Sequence, residues 1–384
     1  MLVDGEGKRV RYDASEDQQL LRETTRRFLE ARSPVSEVRR LLEDPVGFDP
    51  RVWREGAELG WASMFVPEAF GGMAESASGA MDAALVAEEL GRVVFAGPFL
   101  PTNVVAFAVA EAGTEAQRQR VLPALAGGEL VATWCFAGTG LSPGTRPVGV
   151  RATTAGHGFV LTGDSGYVQD AHVADLFLVT AATETGLSQF LLPAATEGIS
   201  VTPLDALDLG RRLSDVRFDA VAVDGTSVVG AVDGAADHVE RQLQLALVLQ
   251  CAETVGVVDR VLEITVEYAK DRVAFGRPIG SFQALKHRFA DHAMWLEAAK
   301  AVTDHAAAAV QLGAVDAAIA TSLAKSHVGR SATEITRDCV QIHGGIGVTW
   351  EHDLHLYVRR AVSNEALWGT PAAHHERLCD LAGV

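Results

Sequence analysis

Two glycine-centred segments hold the residue types best suited to grip a ligand. One runs Arg272-Val273-Ala274-Phe275-Gly276-Arg277-Pro278-Ile279 and continues to Gln283; the other is Gln341-Ile342-His343-Gly344-Gly345-Ile346-Gly347. Each follows a stretch of helical periodicity. Glycine lets a ligand approach the backbone closely, and arginine or glutamine donates hydrogen bonds. That combination suits a phosphate-bearing ligand. A glycine helix cap with solvated polar neighbours is the other reading, and residue chemistry alone leaves both open. Generic enzyme motifs are otherwise scarce: there is no Walker loop, no H-E-x-x-H and no G-x-S-x-G. Gly138-Thr139-Gly140 starts a glycine-rich run without completing G-x-G-x-x-G. Glu351-His352-Asp353-Leu354-His355 has metal-ligand residue types, but two surface histidines at a helix start account for it, and no metal is expected.

The elements that must position these segments fall into three stretches. Residues 1–130 read as helices. Ser15 to Gln18 and Thr114 to Gln117 are capping-box patterns ahead of apolar helical repeats, and Met81 to Leu90 reads as a helix closed by Gly91. Val93 to Ala110 is uncharged but contains Gly97, Pro98, Pro101 and Asn103, which reads as a loop between helices and not as a membrane span. Residues 131–233 change to short β-prone runs between glycines and prolines, among them Phe159–Leu161, Leu176–Thr180, Phe190–Leu192, Ile199–Thr202 and Val216–Phe218. They suggest a small sandwich or barrel. From 234 to 384 the helical period returns. Val239 to Ala269 marks one long helix whose Leu243–Leu249 portion is apolar all round, and helices follow around 283–311, 315–342 and 354–382. The fold class is α+β, mostly α.

Composition bounds the function. The chain has 384 residues, 48% of them hydrophobic, and a net charge of −17. Such acidity disfavours general binding of nucleic acid or anionic membrane. Four cysteines with no C-x-x-C pair fit reduced thiols better than a disulfide framework or a zinc site. With a polar, acidic beginning that resembles no signal or transit peptide, they lead to the expectation of a cytoplasmic protein.

The sequence resembles the acyl-CoA dehydrogenases over nearly its whole length. Glu58-Leu59-Gly60-Trp61, Val66-Pro67-Glu68, Phe70-Gly71-Gly72 and Glu88-Glu89-Leu90-Gly91 are similar to that family's first helical domain. Gly163, Ala174-Asp175 and Phe177-Leu178-Val179 match its β domain, and the R-x-x-F-G-x-P-I-x-x-F-Q and Q-x-x-G-G-x-G segments are its most specific signatures. The resemblance implies a helical domain, a β domain and a four-helix bundle, assembled as a tetramer. It implies FAD as cofactor, an acyl-CoA substrate, and an electron-transfer flavoprotein or similar acceptor. It also implies FAD contacts from Arg272, Phe275, Gln283, Gln341, Gly344 and Gly345, with Thr370 and Tyr167 on the flavin side.

The departures concern the proton acceptor. The family reaction needs a carboxylate to take the α-proton while the β-hydride leaves for flavin. Its usual place falls on Leu367-Trp368-Gly369-Thr370, where the glutamate is replaced by Trp368; the alternative place, on the first long bundle helix, falls on Ala246. Glu253 and Glu365 are the remaining carboxylates near those positions. The family's flavin-side loop appears as Cys135-Phe136-Ala137-Gly138-Thr139-Gly140, and its tryptophan-isoleucine-threonine segment as Tyr167-Val168-Gln169. Adenosine-side residues are thus better kept than isoalloxazine-side residues. The leading expectation is a base-lacking partner subunit in a heterotetramer. A homotetrameric enzyme with a relocated base, a flavin-free scaffold, and a flavin oxidase or monooxygenase on the same fold are the alternatives.

Overall fold

The computed structural model describes residues 14–74, 79–138 and 148–384. The first helices are α1 (Glu16–Arg32), α2 (Val35–Leu41), α3 (Pro50–Glu58), α4 (Ala80–Arg92), α5 (Phe99–Ala112) and α6 (Glu115–Ala126). Both expected capping boxes are formed, with Ser15 accepting from the Gln18 amide and Thr114 from the Gln117 amide. Two local expectations are corrected. Helix α4 does not close at Gly91 but runs to Arg92, and the glycine instead serves packing: a Cβ there would lie 1.9 Å from the Glu253 carbonyl oxygen of a crossing helix. The Val93–Ala110 stretch is a loop only up to Pro98. Pro101 is tolerated in the first turn of α5, where its missing N–H has no intrahelical partner to lose. Helix α5 is buried from Phe99 to Ala110, which explains why that stretch carries no charge.

The strands are β1 (Ala132–Cys135), β2 (Val150–Ala155), β3 (Gly158–Gln169), β4 (Leu176–Ala182), β5 (Leu187–Pro193), β6 (Ile199–Pro203), β7 (Leu213–Asp224) and β8 (Val228–Val229). They form one eight-stranded sheet in the order β6-β7-β3-β2-β4-β5-β8, with β1 parallel to β4. All five β-prone runs lie in these strands. The sheet carries its own apolar core, in which Leu161, Phe177, Phe190, Val216 and Phe218 are fully buried.

Helix α7 (Ala236–Asp271) opens the last region. A short hairpin of β9 (Val273–Ala274) and β10 (Arg277–Pro278) follows, then α8 (Gln283–Gln311), α9 (Ala317–His343), α10 (Leu354–Ala366) and α11 (Pro371–Ala382). Leu243–Leu249 is buried on every side, as its composition requires, and Ala306–Ala309 is a tight buried contact. The stretch expected as one helix over 354–382 is two. Trp368 at φ +56° and Gly369 at φ +110° break it, and Pro371 restarts it under a Thr370 cap. Among the described residues no helix is long and apolar enough to cross a membrane.

Candidate functional site

A cleft of about 870 Å³, counting its open mouth, lies where the three regions meet. Leu100, Pro101 and Val104 of α5 and Leu243 of α7 form its apolar side. Thr133 and Trp134 of β1, the following Phe136 and Ala137, and Gly166, Tyr167 and Gln169 of β3 form the sheet side. The Leu367–Gly369 break and the first turns of α11, with His374 and Arg377, close it. Trp368 stands in this wall, so the place assigned to a carboxylate holds an indole that accepts no proton. No Asp or Glu is among the described residues lining the cleft. Ala246 is fully buried in α7 and offers no base either.

The break is held by His374. Its Nε2 lies 3.1 Å from the Trp368 carbonyl oxygen. A Cβ at Gly369 would come within 2.8 Å of that same Nε2, so this turn needs glycine both for space and for its positive φ. Burial, reinforced by Lys325 and Arg377, pushes the His374 imidazole down to about 4. Thr370 spends its hydroxyl accepting from the Ala373 amide. Tyr167 is on the sheet wall at φ +54°. Gln169, where the family has threonine, accepts from Arg211 Nη1 at 3.2 Å and donates to Asp170 at 3.1 Å.

Those bonds lead into a buried ionic network beneath the cleft. Glu253 of α7 receives Arg211 Nη2 at 2.5 Å, Arg360 Nη1 at 2.7 Å and Asn364 Nδ2 at 2.9 Å. Burial alone would raise this carboxyl, but Arg211 and Arg360 outweigh it and hold Glu253 below the usual carboxylate range. Arg360 also pairs with Asp208 and donates to the Phe95 carbonyl at 3.2 Å. The network therefore ties the sheet, the bundle and the loop before α5. Glu253 lines a smaller cavity that shares Leu100 and Gln169 with the cleft, but not the cleft itself. Glu365 accepts the Thr333 hydroxyl of α9, also away from the cleft.

The glycine-centred segments lie elsewhere. Arg272 ends α7, and the β9–β10 hairpin turns through Phe275 and Gly276 at φ +55° and +75°. Phe275 is 95% exposed, an apolar ring presented to solvent. Arg277 stacks on Phe282 with its guanidinium carbon 4.1 Å from the ring centroid, and Gln283 starts α8. Gln341 is in the last turn of α9, and Gly344 follows at φ +66°. A Cβ at Gly344 or Gly345 would meet nothing within 4 Å, so the backbone there is open to a ligand. Arginine side chains and open glycine backbone are groups that fit an anionic phosphate. Leu243 and Arg272 sit toward opposite ends of α7, about 43 Å apart along its axis at the standard rise. Tyr167 and Trp368, with Thr370 two residues on, thus lie near the Leu243 end of α7, while Arg272, Phe275 and Gln283 follow its other end, where Tyr268 stacks on His343 between Gln341 and Gly344–Gly345.

His374, Arg377, Arg211 and Arg360 escaped the sequence reading. The available signal was positional: His374 and Arg377 are three apart on a helix that starts immediately after the expected base position. In the metal-like run, Asp353 pairs with Arg39 and His355 stacks on Trp350. No group of three metal-binding side chains occurs among the described residues.

Comparison with known proteins agrees with this architecture. The model of the acyl-CoA dehydrogenase N-terminal domain matches residues 15–129, and that of the acyl-CoA dehydrogenase C-terminal domain matches residues 236–379. Acyl-CoA dehydrogenase IpdE2 of Mycolicibacterium smegmatis is 34% identical over 365 residues, covering 95% of this chain and 98% of the relative. The crystal structure of the ChsE4-ChsE5 complex from Mycobacterium tuberculosis contains a chain with 29% identity and a TM-score of 0.87, matched over 98% of this chain and all of that one. A chain from a variant of the Tcur3481-Tcur3483 steroid ACAD has the same identity and TM-score, over 96% of this chain and 98% of that chain. The chain belongs to the acyl-CoA dehydrogenase family.

Proposed function

We propose that the chain is a base-lacking subunit of an FAD-dependent acyl-CoA dehydrogenase, assembled as a heterotetramer with a family member that supplies the carboxylate. The observation that carries this reading is Trp368 in the wall of a cleft lined by no Asp or Glu among the described residues. When bound, FAD accepts the hydride that leaves Cβ of the acyl thioester. Arg272 neutralises pyrophosphate charge, and its planar fork suits phosphate better than a lysine would. Gln341 and the open backbone at Gly344 and Gly345 receive the adenosine half, with Phe275 and Gln283 against the same molecule. These residues are about 43 Å along α7 from the chain's own cleft. A dinucleotide reaching that cleft is too short to use them, so they serve a cofactor seated in a neighbouring subunit. Gln169 supports the same division, because its amide is committed to Arg211 and Asp170 instead of facing a flavin ring. The retained Arg272 weighs against a flavin-free scaffold. The family relatives named from two components, ChsE4-ChsE5 and Tcur3481-Tcur3483, support a hetero-oligomer. Electrons leave to an electron-transfer flavoprotein or a similar acceptor. Free thiols suit a reducing compartment, and we place the chain in the cytoplasm.

The test is an anaerobic titration of the chain purified alone, with FAD supplied, against saturated acyl-CoAs. The oxidised flavin band should stay unbleached. Bleaching would show a competent base within this chain and overturn the reading.

A further inference from the structure

Two side chains that line the cleft each carry a buried polar atom that the fold leaves unsatisfied. His374 is 3% exposed and lines the cleft beside Trp368. The Trp368 carbonyl can only accept, so the Nε2 facing it at 3.1 Å carries the ring proton. Nδ1 of a neutral ring is then a lone-pair acceptor, and it is buried with no partner. The neutral form is the one that burial enforces. Three residues along α11, Arg377 also lines the cleft. One of its terminal nitrogens pairs with Glu240, but its buried Nε, a donor, has no partner. Leaving a buried polar atom unpaired forfeits the hydrogen bond it would make to water. The apolar side of the cleft, with Leu100, Val104 and Leu243, offers neither group a hydrogen bond.

An orphan acceptor and an orphan donor on one helix face match a hydroxyl, which donates and accepts at once. A ketone or carboxylate oxygen would suit Arg377 and leave His374 unpaired. The break that His374 holds carries Trp368, which stands where the family's base faces the carbon next to the thioester. The hydroxyl therefore belongs on the acyl carbons near the thioester. We propose that this chain's own cleft binds a hydroxyacyl thioester without oxidising it, the hydroxyl donating to His374 Nδ1 and accepting from Arg377 Nε. The proposal rests on the acyl-thioester reading of the cleft. Water adding across the Cα=Cβ bond made by acyl-CoA dehydrogenation gives this class of compound, so the ligand lies one hydration downstream of the family reaction.

Trp134 and Trp368 line the cleft, so tryptophan fluorescence reports binding without any flavin chemistry. The full-length chain would be titrated with 3-hydroxyhexanoyl-CoA and with hexanoyl-CoA, with calorimetry as a check. The hydroxylated probe should bind about ten-fold tighter or better, the ratio one buried hydrogen bond supplies. His374→Leu, shown folded by circular dichroism, should bring the two affinities together, and Arg377→Leu should shrink their ratio. Equal affinities in the unsubstituted chain, as expected if water alone satisfies both atoms, would overturn the proposal whatever the variants do. So would a preference that survives in folded His374→Leu. Binding of neither thioester would overturn the proposal together with the acyl-thioester reading of the cleft.

Discussion

Arg360 Nη1 lies 2.7 Å from Glu253 Oε1, joining α10 to α7 in a place that water scarcely reaches. Removing the carboxylate leaves Arg360 with Asp208 but takes the salt bridge from buried Arg211, and stranding a buried charge costs about 3–5 kcal/mol. Glu253→Gln should therefore lower the thermal midpoint sharply, measured by calorimetry. Because Glu253 is held below its ordinary range when folded, the pair stabilises fully above that range. Its contribution is lost as pH falls toward the depressed folded value, so acid unfolding should be less steep in the variant.

His374 predicts a second, separate pH dependence. Its folded value is pushed from 6.5 down to about 4, so the unfolded chain binds a proton that the folded chain refuses. Stability is full above about pH 6.5 and should fall by about 3 kcal/mol on going to pH 4. Urea unfolding across that window should show the slope. His374→Gln should reduce it by about one proton.

Gly256→Ala tests the crossing of α4 and α7. A Cβ there would sit 1.8 Å from the Glu88 carbonyl oxygen, a contact with backbone that cannot rotate away. Overpacking of this kind costs about 1–3 kcal/mol or more. Chemical denaturation should show that loss with the helical content of the native state retained.

Arg272→Ala should release FAD from the assembled protein, read as the flavin-to-protein absorbance ratio after desalting. A several-fold drop is expected, from loss of a charge-assisted contact to pyrophosphate. Unchanged flavin content would remove the cofactor assignment of this face.

Cys135, Cys251 and Cys339 are buried, whereas Cys379 is exposed. Burial raises all three buried thiols, Cys251 to about 12 and Cys339 to about 11. A disulfide reagent applied to the native protein should modify one thiol per chain. Denaturant should release the other three.

What could be read from the sequence was what local chemistry decides. The Ser15 and Thr114 caps are formed by side chains three residues away, and the burial of Leu243–Leu249 follows from its composition. The start of α5 was hidden because Pro101 breaks helices in general and is harmless only in the first turn. The break at Trp368–Gly369 was hidden because a tryptophan with positive φ is unusual, and here His374 folds back to hold it. Glu253 could be placed on α7 by counting. Its partners Arg211 and Arg360 come from a loop and a helix far off in the chain, and no spacing rule connects them.

Helix α7 puts a cleft wall at Leu243 and Arg272 at opposite ends of a single rod too long for one dinucleotide. On the proposed assignment, cofactor occupancy becomes a matter of mass action between chains. Dilution that separates subunits should cost flavin even though no residue has changed, and added FAD should in turn draw the subunits together.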